Sequence, residues 1–513
     1  MKRFVTFALV SALVLGASSI AYANICAFDA APAATILFPF VTLDYNNPVS
    51  GLSTTFSITN VSSEAQIVHV TVWTDFTAAI LDFNILLTGY DVISMNIRDI
   101  FIDGQLPVTT WGPHTGNGTG LFEGVSPNGP VSVDNQTSGA TWINPGMAEP
   151  EPTNVLGDRC NTSNPSYPGN YTLKIDPSFL GLFQGYLQVS QTVDRLHSND
   201  CFKDPSYDGA YVLSPEPYWV ERDTTFPTNM YITADVVENC NKLFPDSPGY
   251  FGAEVRNDNV LIGDVFWTSL DDRLSEASAA VHLEASVNLP YVNTPSPDSP
   301  FGVSFYHRYA WYLDATSDFR EPLPTAWAFR YLGAGMDTIG TDIRVWKGSS
   351  LYNQTYDLER TGSVKVSPDS LVASNCHAYT YYAWDEEEMV TQVSTVPWSM
   401  PGGESVIPNL IPLETQQVPV DQFDTPGAFG WMLFVWPASN YPPATATTAP
   451  DDYYQTWMGV RYNAAGAWSA AMDAAVMANF NCFSDQVLPN LGINYQYVDM
   501  DGYVVPMGQM PSN

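Results

Sequence analysis

The stretch from Thr54 to Ile102, TTFSITNVSSEAQIVHVTVWTDFTAAILDFNILLTGYDVISMNIRDIFI, constrains the fold more than any other part of the chain. Between Gln66 and Thr74, Ile67, His69, Thr71 and Trp73 alternate with Val68, Val70 and Val72. Successive side chains leave a strand on opposite faces, so a period of two in β-branched and aromatic residues predicts a strand. The three valines are expected to face a core, and Trp73 to cover the sheet edge or meet a second layer. Asn60-Val61-Ser62-Ser63 and Thr88-Gly89-Tyr90-Asp91 are turn formers. They separate the run Phe56–Asn60 from strands at Gln66–Thr74, Ile80–Leu87 and Val92–Ile97. Short strands punctuated by turns about every 8–12 residues predict an antiparallel sandwich.

The same texture recurs along the chain. Ala34–Leu43 reads as a first strand in which Pro39, lacking an N–H, forces an edge position or a bulge. Residues 103–170 are rich in Gly, Pro, Asn, Ser and Thr and read as a surface insertion. Tyr186–Val193 and Asn229–Cys240 follow as strands, and Val260–Ser269 echoes Val70–Asp75 in an apolar residue, Trp, Thr and a turn former. That echo predicts an internal duplication. Residues 275–287 fit either a short helix or a strand. Strands are expected at Val303–Leu313, Ala326–Tyr331, Thr341–Trp346, Tyr379–Trp384 and Gly430–Val435, with a hairpin of Trp457–Tyr462 and Ala467–Val476. Length alone allows roughly three domains. The pattern resolves an all-β chain of two antiparallel, immunoglobulin-like β-sandwiches, 24–228 and 229–482. A tail, 483–513, adds a strand-like run at Ile493–Val498.

The first residues set the compartment. Lys2 and Arg3 precede an apolar run, Phe4–Leu15, and the small-residue site Ala21-Tyr22-Ala23. This is the plan of a secretory signal peptide over 1–23, and it predicts a secreted, extracellular or cell-surface protein, or a periplasmic one. In an oxidising compartment Cys26, Cys160, Cys201, Cys240, Cys376 and Cys482, which form no CxxC pair, are expected to make disulfides. Fifteen connectivities are open; a Cys376–Cys482 bridge would staple the last domain. The formal charge is −35, and loss of Lys2 and Arg3 makes the mature chain more acidic still. Phosphate-backbone binding needs Lys and Arg, so nucleic acid and anionic membrane surfaces are poor partners. No later segment has the length to span a bilayer.

Local catalytic motifs are missing: the sequence has no GxSxG, HExxH, Walker loop, CxxCH or complete EF-hand loop. Gly116-Asn117-Gly118-Thr119-Gly120 follows no strand and opens no helix, so it reads as a loop. His69, His114, His197, His282, His307 and His377 never fall at ligand spacing, and His69 and His282 sit in strand patterns as structural residues. Two acidic groups offer hard oxygen ligands to calcium: Asp385, Glu386, Glu387 and Glu388 after an aromatic strand, and Asp499 and Asp501 before Gly502. The first competes with a solvated turn, and the second lacks the distal Glu of a calcium loop. Trp311-Tyr312, Trp327, Trp384 and Trp457 are candidate sugar platforms, although core packing accounts for most aromatics in a β protein.

Several blocks resemble a family of secreted bacterial proteins with no established activity. They are Ala34–Asp44, Phe56–Asp103, Asp258–Val265 with Val281–Ala285, Phe319–Pro324, Thr341–Trp346 and Trp384–Glu388. The resemblance implies export and a β-rich body, and no reaction. The expected role is an exported, non-enzymatic structural or interaction protein of the cell surface or extracellular assemblies. It would associate with itself by strand addition, through an exposed edge or the 491–505 tail. The alternatives are a carbohydrate-binding or carbohydrate-active protein and a calcium-dependent adhesin.

Overall fold

A computed structural model describes residues 31–74, 79–105, 211–212, 228–238, 250–285, 305–306, 318–321, 323–336, 338–348, 365–366, 379–394, 411, 414–436, 455–464, 469–478, 496–498 and 504–506, with Pro245. Strand makes up 59% of these residues and helix 6%, all in antiparallel sheets, so the fold class is all-β. The first strands are β1 (Thr35–Leu43), β2 (Ser53–Asn60), β3 (Gln66–Thr74), β4 (Ala79–Leu87) and β5 (Val92–Asn96), followed by the short helix α1 (Ile97–Phe101). Next come β6 (Tyr211–Val212), β7 (Thr228–Val237), β8 (Leu261–Ser269), β9 (Leu274–Ala279) and β10 (Val281–Leu283). The later strands begin with β11 (Ala326–Leu332), β12 (Gly340–Lys347), β13 (Lys365–Val366), β14 (Thr380–Asp385), β15 (Val390–Ser394) and β16 (Thr415–Pro419). The chain continues through β17 (Phe429–Val435), β18 (Thr456–Asn463), β19 (Ser469–Asp473), β20 (Ala475–Ala478), β21 (Gln496–Val498) and β22 (Val504–Pro506). The leader, all six cysteines, residues 106–170 of the insertion, the strand expected at Tyr186–Val193, and Asp499 and Asp501 lie outside the described residues.

The first sheet runs β4-β3-β7-β1-β2-β8-β9, with β10 on β1 and β5 on β2. This corrects the boundary expected at 228/229. β7 lies between β3 and β1, and β8 pairs β2 along its length, so strands from both expected domains share one sheet. Periodicity marks a strand but not its partner, and so a duplication inferred from the Val260–Ser269 echo says nothing about pairing. The region 275–287 resolves into β9 and β10. Pro39 sits at a register shift between Phe38 and Val41 and makes a bulge, as its missing N–H requires.

Both faces of the β4-β3-β7-β1 ladder are buried, and they differ in chemistry. Register places Val68, Val70 and Val72 with Val236, Ala234 and Ile232 on an apolar face. His69, Thr71 and Trp73 share the other face with Asp235, Thr233 and Tyr231. Trp73 meets a second layer: it stacks on Tyr231 at 5.7 Å and 3°, and Tyr231 meets Trp346 edge-on.

That second layer is the sheet β16-β12-β18-β19, and a third is β15-β14-β17-β11-β20. The four-stranded sheet lies in the middle. Arg344 and Trp346 on its β12 point to the first sheet, and Thr415 on β16 donates to Pro39 O at 2.6 Å. Its opposite face meets the third sheet, where Trp327 Nε1 donates to Thr456 Oγ1 (2.9 Å) and Tyr462 Oη to Arg330 O (2.8 Å). One apolar cluster runs through all three layers, from Leu37 and Val70 to Val345, Phe434 and Trp457. Each large side chain sealed there contributes about 1.5–3 kcal/mol.

Within the third sheet, Gly430 allows the Tyr331 side chain to cross β17 and donate to Trp384 O at 3.2 Å. A Cβ on Gly430 would stand 1.8 Å from that carbonyl oxygen and 2.7 Å from Tyr331 Oη. Gly430→Ala is therefore expected to part β14 from β17 and cost about 1–3 kcal/mol, read as a lower urea midpoint. An unchanged midpoint would refute the close approach.

Candidate functional site

Two groups of ionisable residues lie inside the layers. The first forms around Asp235, the one carboxylate on the strand β7. Its Oδ1 accepts from Thr35 Oγ1, and its Oδ2 accepts from Tyr250 Oη (2.5 Å) and Tyr306 Oη (2.8 Å). Arg320 Nε lies 3.4 Å from Asp235 and also donates to Thr35 Oγ1, and Arg320 Nη1 lies 3.3 Å from Asp318 Oδ1. Burial, and then the charge of Asp235, pushes both tyrosines well above their ordinary pKa. Burial works to lower the Arg320 pKa, but Asp235 and Asp318 outweigh it and raise it. The side chains of Asp235, Asp318 and Arg320 are fully sealed from solvent. The arrangement ties five distant segments together and offers no approach to a substrate. Nearby, His69 sits 2.8 Å from Asn84 Oδ1 through Nδ1 and 3.5 Å from Asp82 through Nε2, buried in the sheet. His282 accepts from Gly263 N at 3.0 Å. The two described histidines thus hold places in strands.

The second group joins the first and middle sheets. Glu276 on β9 accepts from Arg344 Nη2 (2.6 Å) and Arg461 Nε (2.8 Å), and Arg461 Nη1 reaches Asp342 at 3.0 Å. The Arg344 guanidinium lies 4.0 Å from the Trp267 ring centre. Burial pushes Arg344 down to about 10, with Glu276 opposing that shift. Burial alone would raise Glu276, yet Arg344 and Arg461 prevail and lower it. Burial raises Asp342 against the pull of the same two arginines.

A buried lysine ends β12. Lys347 Nζ donates to Ile411 O, and burial pushes its pKa down to about 7, against the pull of Glu414. In the unfolded chain a lysine titrates at ~10.4. Between about pH 7 and 10 the unfolded state therefore holds the extra proton, and stability rises with pH. Urea unfolding at pH 7 and pH 9 is expected to show this rise, and Lys347→Met to lack it. Equal slopes in the two proteins would refute it.

The acidic run after β14 is a hairpin turn. Asp385 Oδ1 accepts from the backbone N–H groups of Glu387 and Met389, both at 2.9 Å. Asp385 N donates to Met389 O at 3.1 Å, and Glu388 takes the left-handed conformation at φ 63°. Glu386 lies 3.6 Å from Arg330. Asp385 is thus spent on the turn, while Glu386, Glu387 and Glu388 are exposed. Among the described residues no three His, Cys, Asp or Glu side chains converge as a metal site would require.

Aromatics alternate along β14. Tyr381 packs inward on Phe423 and Phe434, while Tyr382 and Trp384 lie on the outer face, where Trp384 stacks on Trp431 at 4.0 Å and 8°. Of the candidate sugar platforms, Trp327 and Trp457 are core residues at 0% and 2% exposure, a correction that follows from their place between sheets. Trp384 is half-buried, and Trp311-Tyr312 lies outside the described residues.

Beyond that turn, β15 is the last strand of its sheet among the described residues. Register pairs Trp384 with Val390 and Tyr382 with Gln392. Hydrogen-bonded and non-bonded pairs alternate in an antiparallel ladder, and the bonded pair Asp385–Met389 fixes the phase. The backbone groups of Val390 and Gln392 therefore point away from β14. Met389 and Val390 are 61% and 55% exposed. The expected tail run is different: β21 and β22 pair with each other, so the tail forms its own two-stranded ladder.

Among the described residues no helix is long and apolar enough to cross a membrane. Comparison with known family models, curated proteins and solved structures finds no match. Sequence reasoning had singled out the acidic turn but missed both buried groups. Asp235 inside the apolar run Met230–Val237 was the available signal, because a carboxylate in a buried strand needs a cation.

Proposed function

We propose that this chain is an exported, disulfide-stapled, non-enzymatic structural or interaction protein of the cell surface or an extracellular assembly, and that it associates by strand addition. The observation that carries the reading is the β15 edge, with backbone groups directed outward and Met389 and Val390 exposed beside it. The ionisable clusters support it from the other side, since one ties distant segments to the first sheet and the other joins the first and middle sheets from within. An added strand gains backbone hydrogen bonds from such an edge, and alternate side chains set its register. The signal-like leader and six scattered cysteines support export and cross-linking.

The test is sedimentation of the purified protein beside Gln392→Pro. The Gln392 N–H faces away from β14, so proline there removes no internal ladder bond and blocks only an incoming strand. Association in the native protein that disappears in the variant, with the melting temperature unchanged, is the expected result. A native protein that remains monomeric at all concentrations would sink the reading. The Trp384–Trp431 stack favours a second reading, a glycan-binding face. Binding on a glycan array that Trp384→Ala abolishes would support that alternative.

A further inference from the structure

Resting on the strand-addition reading, we infer that the strand received by β15 is β15 of a second copy, antiparallel about a two-fold axis at Gln392. The outward groups of β15 lie at alternate residues, Val390 and Gln392, with the next at Ser394, and this set is symmetric about Gln392. An antiparallel copy in that register bonds Gln392 to Gln392 and Val390 to Ser394 of the other chain. Thr391 then lies opposite Val393, a β-branched cross-strand pair of the kind that stabilises sheets. Val393 already packs on the core, so the new pair extends a buried face.

Charge selects the same arrangement. The strand Val390–Ser394 carries no charged residue in a chain of net charge −35. Its only acids are in the turn Glu386–Glu388, at one end. Parallel pairing would set two such turns side by side, whereas antiparallel pairing places them at opposite ends of the joint ladder. A foreign partner selected by charge would find nothing along the strand to recognise.

Among the described residues four other edges are approached by a neighbour, irregular or ended by proline, while β5, uncharged and in unbroken register on β2, is a second open edge. β9 is approached by β19 of the middle sheet, β20 meets β11 with a register shift, β4 meets β3 with another, and β16 ends in Pro419. The β14–β15 register is unbroken, and β15 has neither Lys nor Pro, the usual guards of an exposed edge. Five residues make a short ladder, so the dimer is one that dissociates on dilution.

Gln392→Cys tests the geometry. Bonded antiparallel partners stand about 5.5 Å apart at Cα, within disulfide reach. Mild oxidation of the full chain should give a dimer whose digest contains a peptide linked 392 to 392, with the native protein as control for its own cysteines. Val390→Lys, at an exposed side chain, should weaken self-association at least about tenfold without lowering the melting temperature. Self-association that Gln392→Pro abolishes, with no 392–392 link, would overturn the two-fold while leaving strand addition standing. A protein that never self-associates would overturn both.

Discussion

Asp235→Ala is expected to destabilise the protein by about 3–5 kcal/mol, because it takes from the fully buried Arg320 guanidinium one of its two carboxylates and leaves Asp318 alone to balance it. The carboxylate also accepts from two buried tyrosines and from Thr35, so its loss orphans donors on three further segments. Asp235→Asn keeps the volume but removes the charge, and it should recover only part of the loss. Replacing Arg320 by Met and Asp235 by Leu together with Asp318→Asn should cost less than Asp235→Ala alone, since no unpaired charge of the group then remains. Urea unfolding of the purified proteins measures all three. A loss under about 1 kcal/mol for Asp235→Ala would mean that Asp318 suffices to balance the guanidinium without Asp235.

The second large effect falls on Glu276. Glu276→Ala removes the carboxylate shared by Arg344 and Arg461, and a cost of about 3–5 kcal/mol follows for the same reason. This site also has an acid signature. The folded pKa of Glu276 lies below its ordinary value of 4.5, so the unfolded chain binds the proton first. Its contribution is fully present above the unfolded pKa and is lost as pH falls through the folded one. Stability should therefore decline below about pH 4.5 with a component that Glu276→Gln lacks. Parallel pH profiles for the two proteins would remove the ion pair from the account.

How far the sequence announced this structure depends on the level asked about. Alternation at Gln66–Thr74 marked β3 within its bounds, Pro39 marked a bulge, and Trp457–Tyr462 with Ala467–Val476 marked the β18–β19 hairpin. These signals are local, set by side-chain direction and backbone chemistry. The partnership of β1 with β7 was not legible, because either face of an alternating strand fits many others. Nor was the ring of Thr35, Asp235, Tyr250, Tyr306 and Arg320. Each member is an ordinary polar residue until the sheets bring them together, and Thr35 and Arg320 are 285 positions apart. The acidic turn was visible as a run of carboxylates. Its use of Asp385 as a backbone acceptor depends on the left-handed Glu388, which composition does not reveal.

The interleaved order of the first sheet has a consequence for biogenesis. Thr35 and its partner Asp235 are separated by 200 residues, so a chain emerging amino end first displays β1 long before β7 exists. Closing so long a loop is slow. In the meantime the early strands are vulnerable to wrong pairing, and a chaperone that shields Ile36–Leu43 until the middle of the chain arrives would raise the yield of native protein.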